Sequence, residues 1–359
     1  MRHPSRAFAS AALVIVLAVS TGLLTLGNRT SAVAATQPDA IRLLPVPSAG
    51  GRVWDWSAAC PLGPRTGAHC QGAGPVLGRA QLNGDEWNLG VTKPAEGVVR
   101  MSMTPTGGLT VRGELPVAPP CTAATCLAPS ANTWVRAYTN VSYGKNPCRA
   151  ATSPAGDPAL RLPVKVSALP TDLVGTTSYV SQASQTTYDI AYDMWLNPSG
   201  TQQPCRTQGT VEVMVWTDYD RQALLPSPPV GTTSIPYAVG GVAHDGTNAW
   251  STYVLNVHRS GRTSPYGATV FLVLNAGDVV PAGTVSVDVT KALSAVGTLL
   301  EQDYGWSDFA SHYWLDTIPF GMEVGPVNAQ PWGTGSTNFT LGLSSYCFGL
   351  NATVAHPKC

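Results

Sequence analysis

Polarity in this chain changes sign at every second residue over long stretches. Residues 210–217, TVEVMVWT, are the plainest case: Val211, Val213 and Val215 share one side, and Glu212, Met214 and Trp216 share the other. That period belongs to a β-strand buried on one face. Residues 188–196, YDIAYDMWL, repeat it, with Tyr188, Ile190, Tyr192 and Met194 facing one way and Asp189, Ala191, Asp193 and Trp195 the other. The turn-rich segment 197–209 between them predicts antiparallel partners across a long hairpin. A third run, residues 314–324 (WLDTIPFGMEV), sends Ile318, Phe320, Met322 and Val324 to one face and Thr317, Pro319, Gly321 and Glu323 to the other.

Shorter runs predict strands at 53–56, 98–103, 109–115, 133–143, 160–166, 234–240, 250–257, 268–274, 285–289 and 339–346. Segments 60–78 and 116–130 are rich in turn formers and read as loops. Only residues 289–302 carry a helical period: Val289, Leu293, Val296 and Leu300 form one stripe, and Asp288 or Thr290 can cap its start. The predicted class is all-β, with one helix packed on the outside of a sheet.

The ends of the chain change the picture of where it works. Arg2, His3 and Arg6 precede an apolar run over 7–26, and Ala32-Val33-Ala34 supplies a small-x-small cleavage signal. Residues 1–34 therefore read as a secretory signal peptide, with an uncleaved anchor as the competing reading. Residues 35–51 lack periodicity and read as a flexible lead-in. Residues 52–359 read as a single domain, secreted and without stable membrane association once the signal is cleaved.

Eight cysteines all lie in the exported part. An even count in an oxidising compartment suggests four disulfides, out of on the order of a hundred possible connectivities. Pairing of neighbours, which closes short loops, gives Cys60 with Cys70, Cys121 with Cys126, Cys148 with Cys205 and Cys347 with Cys359. No metal site is expected, because no CxxC pair accompanies suitably spaced histidines. Asp218 and Asp220 are expected in a solvated turn rather than a calcium loop. Asn140, Asn338 and Asn351 stand in glycosylation sequons.

Charge and composition narrow the partners. Charged residues make up 12% and balance to zero, against 36 glycines, 30 prolines and ten tryptophans. No basic field is available for nucleic acid or anionic lipid. A neutral, aromatic-rich secreted chain suits a polysaccharide, and a monomer is expected.

Candidate chemistry lies on the polar strand faces. A carboxylate flanked by Met214 and Trp216 is costly to bury without purpose, and that mixture suits a cleft floor better than an open surface. Glu323 offers a second carboxylate on a face otherwise made of small residues. One carboxylate on either side of a bond is the requirement of glycoside hydrolysis. No GxSxG elbow, HExxH helix or Gly-rich phosphate loop is present, and the six histidines are scattered.

At this point the chain resembles glycoside hydrolase family 12. EVMVW at 212–216 is similar to that family's EIMIW nucleophile strand, and IAYDMW at 190–195 to its VAYDLF strand. Pro229-Val230-Gly231 resembles its PIG turn, YWLDTIPFGMEVG at 313–325 its YLTSIQAGTEPF strand, and VRAYTNV at 135–141 its VKSYANV strand. The resemblance implies a β-jelly roll of two packed antiparallel sheets forming a concave cleft. It implies Glu212 as nucleophile, Glu323 as general acid/base, and Asp193 hydrogen-bonded to Glu212. Met214 and Trp216 would floor the cleft, Trp87 would stack on a sugar, and Asn83 is a weaker match for a substrate contact. The implied reaction is retaining cleavage of a β-1,4-glucan with no cofactor, its carboxyls about 5–5.5 Å apart. Three features depart from the family: Gly325 replaces a phenylalanine, its WSW strand has no counterpart, and segments 116–130, 197–209 and 216–228 are longer, the last bearing Arg221. Substrate choice therefore stays open among cellulose, mixed-linkage glucan, xyloglucan and another glycan, with a non-catalytic carbohydrate-binding protein as the alternative.

Overall fold

The computed structural model describes residues 40–44, 51–55, 73–84, 98–116, 137–144, 156–184, 186–200, 209–220, 228–255, 257, 267–325 and 336–359. The signal segment, Trp87, Arg221 and six of the cysteines lie outside the described residues.

Two sheets face each other. The smaller contains β1 (Ala40–Arg42), β2 (Arg52–Asp55), β5 (Val98–Met103), β6 (Leu109–Pro116), β9 (Val174–Ser184), β13 (Tyr237–Val239), β14 (Val242–His244), β17 (Ala282–Asp288) and β19 (Ser336–Gly349). Its neighbours run β14-β13-β17-β9-β19-β6-β5-β2, with β1 beside β19. The larger contains β3 (Ala73–Leu77), β4 (Ala80–Asn83), β7 (Ala137–Gly144), β8 (Val164–Lys165), β10 (Thr187–Asn197), β11 (Val211–Tyr219), β12 (Gly231–Thr233), β15 (Trp250–Leu255), β16 (Ala268–Leu274) and β18 (Trp314–Gly325). Its order is β12-β15-β16-β11-β10-β18-β7-β4-β3, with β8 beside β18. All pairings are antiparallel except β11 with β16, which is parallel. The result is a β-jelly roll of two packed sheets with a concave cleft.

The alternation read from the sequence explains the packing. Ile190, Tyr192 and Met194, Val211, Val213 and Val215, and Ile318, Phe320 and Met322 all point into the core between the sheets. They meet Tyr179, Leu341, Tyr346 and Phe348 from the opposite sheet. Phe320 is the hub, edge-on to Tyr192 at 4.8 Å and tilted against Tyr179 at 5.5 Å and Tyr346 at 5.8 Å. The buried phenols are paired, Tyr346 donating to the Ile318 carbonyl at 2.6 Å and Tyr192 sharing a hydrogen with Thr177 at 2.8 Å. Those bonds satisfy the polar tips that would otherwise oppose burial.

The helix α1 (Val289–Tyr304) forms where its stripe predicted. Asp288 caps it by accepting from the Lys291 amide at 2.8 Å, and Gly305 ends it in the left-handed conformation. Val289, Ala292, Leu293, Val296 and Leu300 are buried, and the helix touches β9 and β11, one strand from each sheet.

Several sequence expectations require correction, the first being the loop over 60–78, whose residues Ala73–Leu77 form β3 against β4. The lead-in over 35–51 is not uniformly irregular, since β1 pairs with β19 and buries Ile41 completely. Residues 160–166 do not form a full strand; only Val164–Lys165 pairs, because Leu160 closes a bridge with Asp157 and Val166–Ala168 turn as a 3-10 helix. The 234–240 strand is divided, with β13 starting only at Tyr237. Finally, β9 was not anticipated at all. Its sequence, VGTTSYVSQAS, mixes Thr and Ser on both faces and so hides the period, yet it sits between β17 and β19 with Thr176 and Thr177 buried. Cys347 and Cys359 pair as a disulfide, with Cα atoms 6.2 Å apart.

Candidate active site

The face of the larger sheet turned away from the core is built by the same alternation. From β10 it receives Asp189, Ala191, Asp193 and Trp195, since these occupy the positions between core residues. β11 adds Glu212 opposite Trp195, Met214 opposite Asp193 and Trp216 opposite Ala191. On the other side β18 adds Glu323 opposite Asp189, and Gly321 opposite Ala191. Beyond it lie Tyr138 and Asn140 of β7, opposite Glu323 and Gly321, and then Asn83 of β4, opposite Asn140.

Register alone puts the two glutamates far apart. Glu212 lies beside Trp195 and Glu323 beside Asp189, six residues along β10, which in a flat sheet is about 20 Å. Nevertheless the Glu212 charge is, after burial, the largest influence raising Glu323, whose carboxyl is pushed up to about 8. Both glutamates lie on the same face of the sheet, Glu212 on β11 and Glu323 on β18, to either side of β10.

Each carboxylate has a different environment. Glu212 is half-buried and accepts a hydrogen bond from Thr269 Oγ1 at 3.0 Å, across the parallel pairing with β16. Asp193, on the same face and diagonal to Glu212, accepts from the indole Nε1 of Trp195 at 3.0 Å. Glu323 is half-buried by area but ringed by protein, so desolvation dominates its shift. Asp189 is 5% exposed and is raised well above the carboxylate range, first by burial and then by the charges of Glu323 and Asp193. The Tyr138 phenol donates to the Ala191 carbonyl at 3.3 Å and is also raised, by burial and by Asp193, Asp189 and Glu323.

Beside the acids is an apolar floor. Met214, Trp216, Ala191 and Val273 form a small cluster on this face, joined by Tyr219, Tyr253 and Phe271. Trp216 packs edge-on to Phe271 at 5.5 Å, and its buried indole N–H has no hydrogen-bond partner among the described residues. Aromatic surface next to carboxylates suits the apolar faces and hydroxyl edges of a sugar.

The remaining sequence candidates divide. Met214 and Trp216 lie in the floor. Asn83 is fully buried, its Nδ2 donating to Asn140 Oδ1 at 2.8 Å and Ser142 Oγ at 2.9 Å, while its Oδ1 has no partner among the described residues. Trp87 lies outside the described residues. Two readings are corrected here. Asp218 is not in a solvated turn but within β11, 2% exposed, accepting from Ser181 at 2.8 Å and Tyr188 at 3.2 Å. Asn140 is not an available glycosylation site, because its side chain is buried and bonded to Asn83 and to the Tyr138 carbonyl. Sequence reasoning did not select Asp189, Tyr138 or Thr269. All three fall on the correct parity of their strands, but nothing local says which residue lies across from them.

These features define a β-jelly roll whose larger sheet carries an acidic, aromatic-floored cleft. No family profile and no curated protein matches the sequence. Solved structures do. The chain is similar to a family 12 xyloglucanase from Bacillus licheniformis, with 16% identity over 76% of this chain and 94% of that one and a TM-score of 0.50. It also matches the endo-1,4-β-glucanase CelB2, a cellulase, with 20% identity over 79% and 97% and a TM-score of 0.49. A metagenome-derived family 12 endoglucanase matches with 16% identity over 82% and 99% and a TM-score of 0.49. The chain thus resembles glycoside hydrolase family 12, and at these identities what is shared is the fold.

Proposed function

We propose that the protein is a secreted, retaining glycoside hydrolase of the endo-β-1,4-glucanase type. The observation that carries this reading is the asymmetric glutamate pair on one concave face. Glu323 is raised by burial and by the Glu212 charge, whereas Glu212 accepts a hydroxyl hydrogen bond suited to an ionised carboxylate.

In the first step Glu323 gives its proton to the glycosidic oxygen while Glu212 attacks the anomeric carbon. The leaving sugar departs as an alcohol, and a glycosyl ester forms on Glu212. In the second step the Glu323 carboxylate takes a proton from water, which displaces Glu212 and restores both groups with the starting anomeric configuration. Thr269 and Asp193 orient the nucleophile in this scheme, Asp193 held in turn by Trp195. Met214 and Trp216 floor the sugar subsites in this scheme, Trp87 would stack on a sugar, and Asn83 is a weaker candidate for a substrate contact. Neither a metal nor an organic cofactor enters these steps.

The similar solved structure named a family 12 xyloglucanase supports a β-glucan as substrate class. Export by residues 1–34, a single catalytic domain over 52–359 and action as a monomer on polysaccharide complete the proposal. The test is product analysis on cellulose, mixed-linkage glucan and xyloglucan, with the newly formed anomer followed by NMR. Products of retained configuration are expected. Binding without new reducing ends would identify a non-catalytic carbohydrate-binding protein, and turnover confined to another polysaccharide would move the substrate class. Glu212→Ala should lose hydrolysis and be rescued by azide as a glycosyl azide of inverted configuration; full activity in that variant would remove Glu212 from the mechanism.

A further inference from the structure

One carboxylate of the cleft has no part in the scheme above. Asp189 lies directly across the β10–β18 pairing from Glu323, on the same face, so the two carboxyls are within reach of each other. Side chains so placed have Cβ atoms about 5 Å apart, and like charges there repel. A hydrogen bond between carboxyls requires a proton on one of them. Asp189 Oδ1 is buried with no hydrogen-bond partner among the described residues. An ionised carboxylate could not bear that, whereas the carbonyl oxygen of a neutral acid can.

We propose that Asp189 is a positioning residue, kept protonated in the working enzyme so that it donates its hydrogen to the Glu323 carboxylate. This rests on the reading of Glu323 as the acid/base. The hydrogen bond stabilises Glu323 in its ionised form, which is the form left after proton transfer to the leaving group and the form that activates water. It thereby offsets part of the rise that burial and Glu212 impose on Glu323. The groups facing Asp189 are Glu323 of β18, Tyr138 of β7, Tyr219 and Glu212 of β11, and Asp193 of its own strand. The charges of Glu323, Asp193 and Glu212 all favour its neutral form.

Two measurements on the full chain test this. In a carboxyl-carbon NMR titration, with Asp189 assigned by its loss in Asp189→Asn, its signal should stay at the protonated position past pH 7. In the pH profile of glucan hydrolysis, Asp189→Asn keeps a donor and should leave the basic limb within about half a pH unit. Asp189→Leu keeps the bulk without a donor and should move that limb upward by about one unit. An Asp189 signal that is ionised at pH 7, or a downward shift of the limb in both variants, is the behaviour of a charged Asp189 and overturns the proposal. If the Leu variant does not fold, the wild-type and Asn titrations decide alone, a protonated Asp189 upholding the proposal and an ionised one refuting it. A chain inactive on every glycan would defeat the functional reading, while the NMR titration would still judge the hydrogen bond.

Discussion

Replacing Gly321 by alanine probes how tightly the cleft is built beside Glu323, the proposed acid/base. Gly321 is the residue of β18 that lies between Ala191 and Asn140, two places before Glu323. A Cβ there would stand 2.2 Å from the Thr139 carbonyl oxygen, 2.6 Å from Asn140 Cβ and 2.7 Å from Asn140 Cα. Two of these atoms are backbone of a hydrogen-bonded neighbour, so a rotamer change cannot relieve the clash. β7 and β18 must separate by roughly 1 Å to restore ordinary contact distances. Overpacking of this kind costs about 1–3 kcal/mol, and backbone obstruction favours the upper end. Against it stands a gain of about 0.5–1 kcal/mol from removing a strand glycine. The net expectation is a loss of about 2 kcal/mol, read as a lower urea midpoint by tryptophan fluorescence. Displacing Glu323 by the same distance should slow hydrolysis on the order of a hundredfold, measured well below the unfolding transition. A variant within about 0.5 kcal/mol of wild type and within about threefold in rate would refute the argument, since β18 could then move without disturbing either the fold or the carboxyl.

Three further outcomes are expected. Because Glu323 is raised to about 8 by burial and the Glu212 charge, it holds its proton at neutral pH, and kcat/KM should fall as pH rises through about 8; a profile still climbing across pH 8 would contradict its role as acid. Thr269→Val removes the 3.0 Å hydroxyl bond to Glu212 at nearly constant volume, and the loss of about 1.5–3 kcal/mol should appear as a ten- to hundredfold lower kcat with little change in melting temperature. Asp316, at an irregularity of the β10–β18 pairing, accepts from Asn197 and is raised by burial to about 7. Its folded pKa exceeds the unfolded value near 4, so its contribution is fully present below about pH 4 and is lost as pH rises toward 7. Asp316→Asn keeps an acceptor without the charge and should therefore be more stable than wild type at pH 8 but not at pH 4, as judged by urea unfolding.

The long alternating runs were legible as strands because each buries one face completely. Ile190, Tyr192 and Met194, for example, are all at most 1% exposed. The helix was legible for a similar reason, since its stripe and its Asp288 cap are both local signals. β9 was not, because hydroxyl side chains serve both faces of a central strand when they pair with one another, as Thr176 does with Ser286 and Ser178 with Thr284. Asp218 reads as part of a turn because Asp220 follows two residues on, yet β11 continues through Tyr219. Ser181 and Tyr188 supply the hydrogen bonds that let the strand continue with a buried carboxylate.

Sequence alone determined which face each acid occupies, since a period of two leaves no choice once the apolar side is known. It thereby put Glu212, Asp193, Asp189 and Glu323 on cleft-facing positions. Which of them meet was decided by tertiary structure. Register brings Asp189 opposite Glu323, and parallel pairing brings Thr269 to Glu212. Alternation is a property of consecutive residues, whereas register is set by pairing between segments far apart in the chain, so only the assembled sheet shows which side chains stand opposite one another.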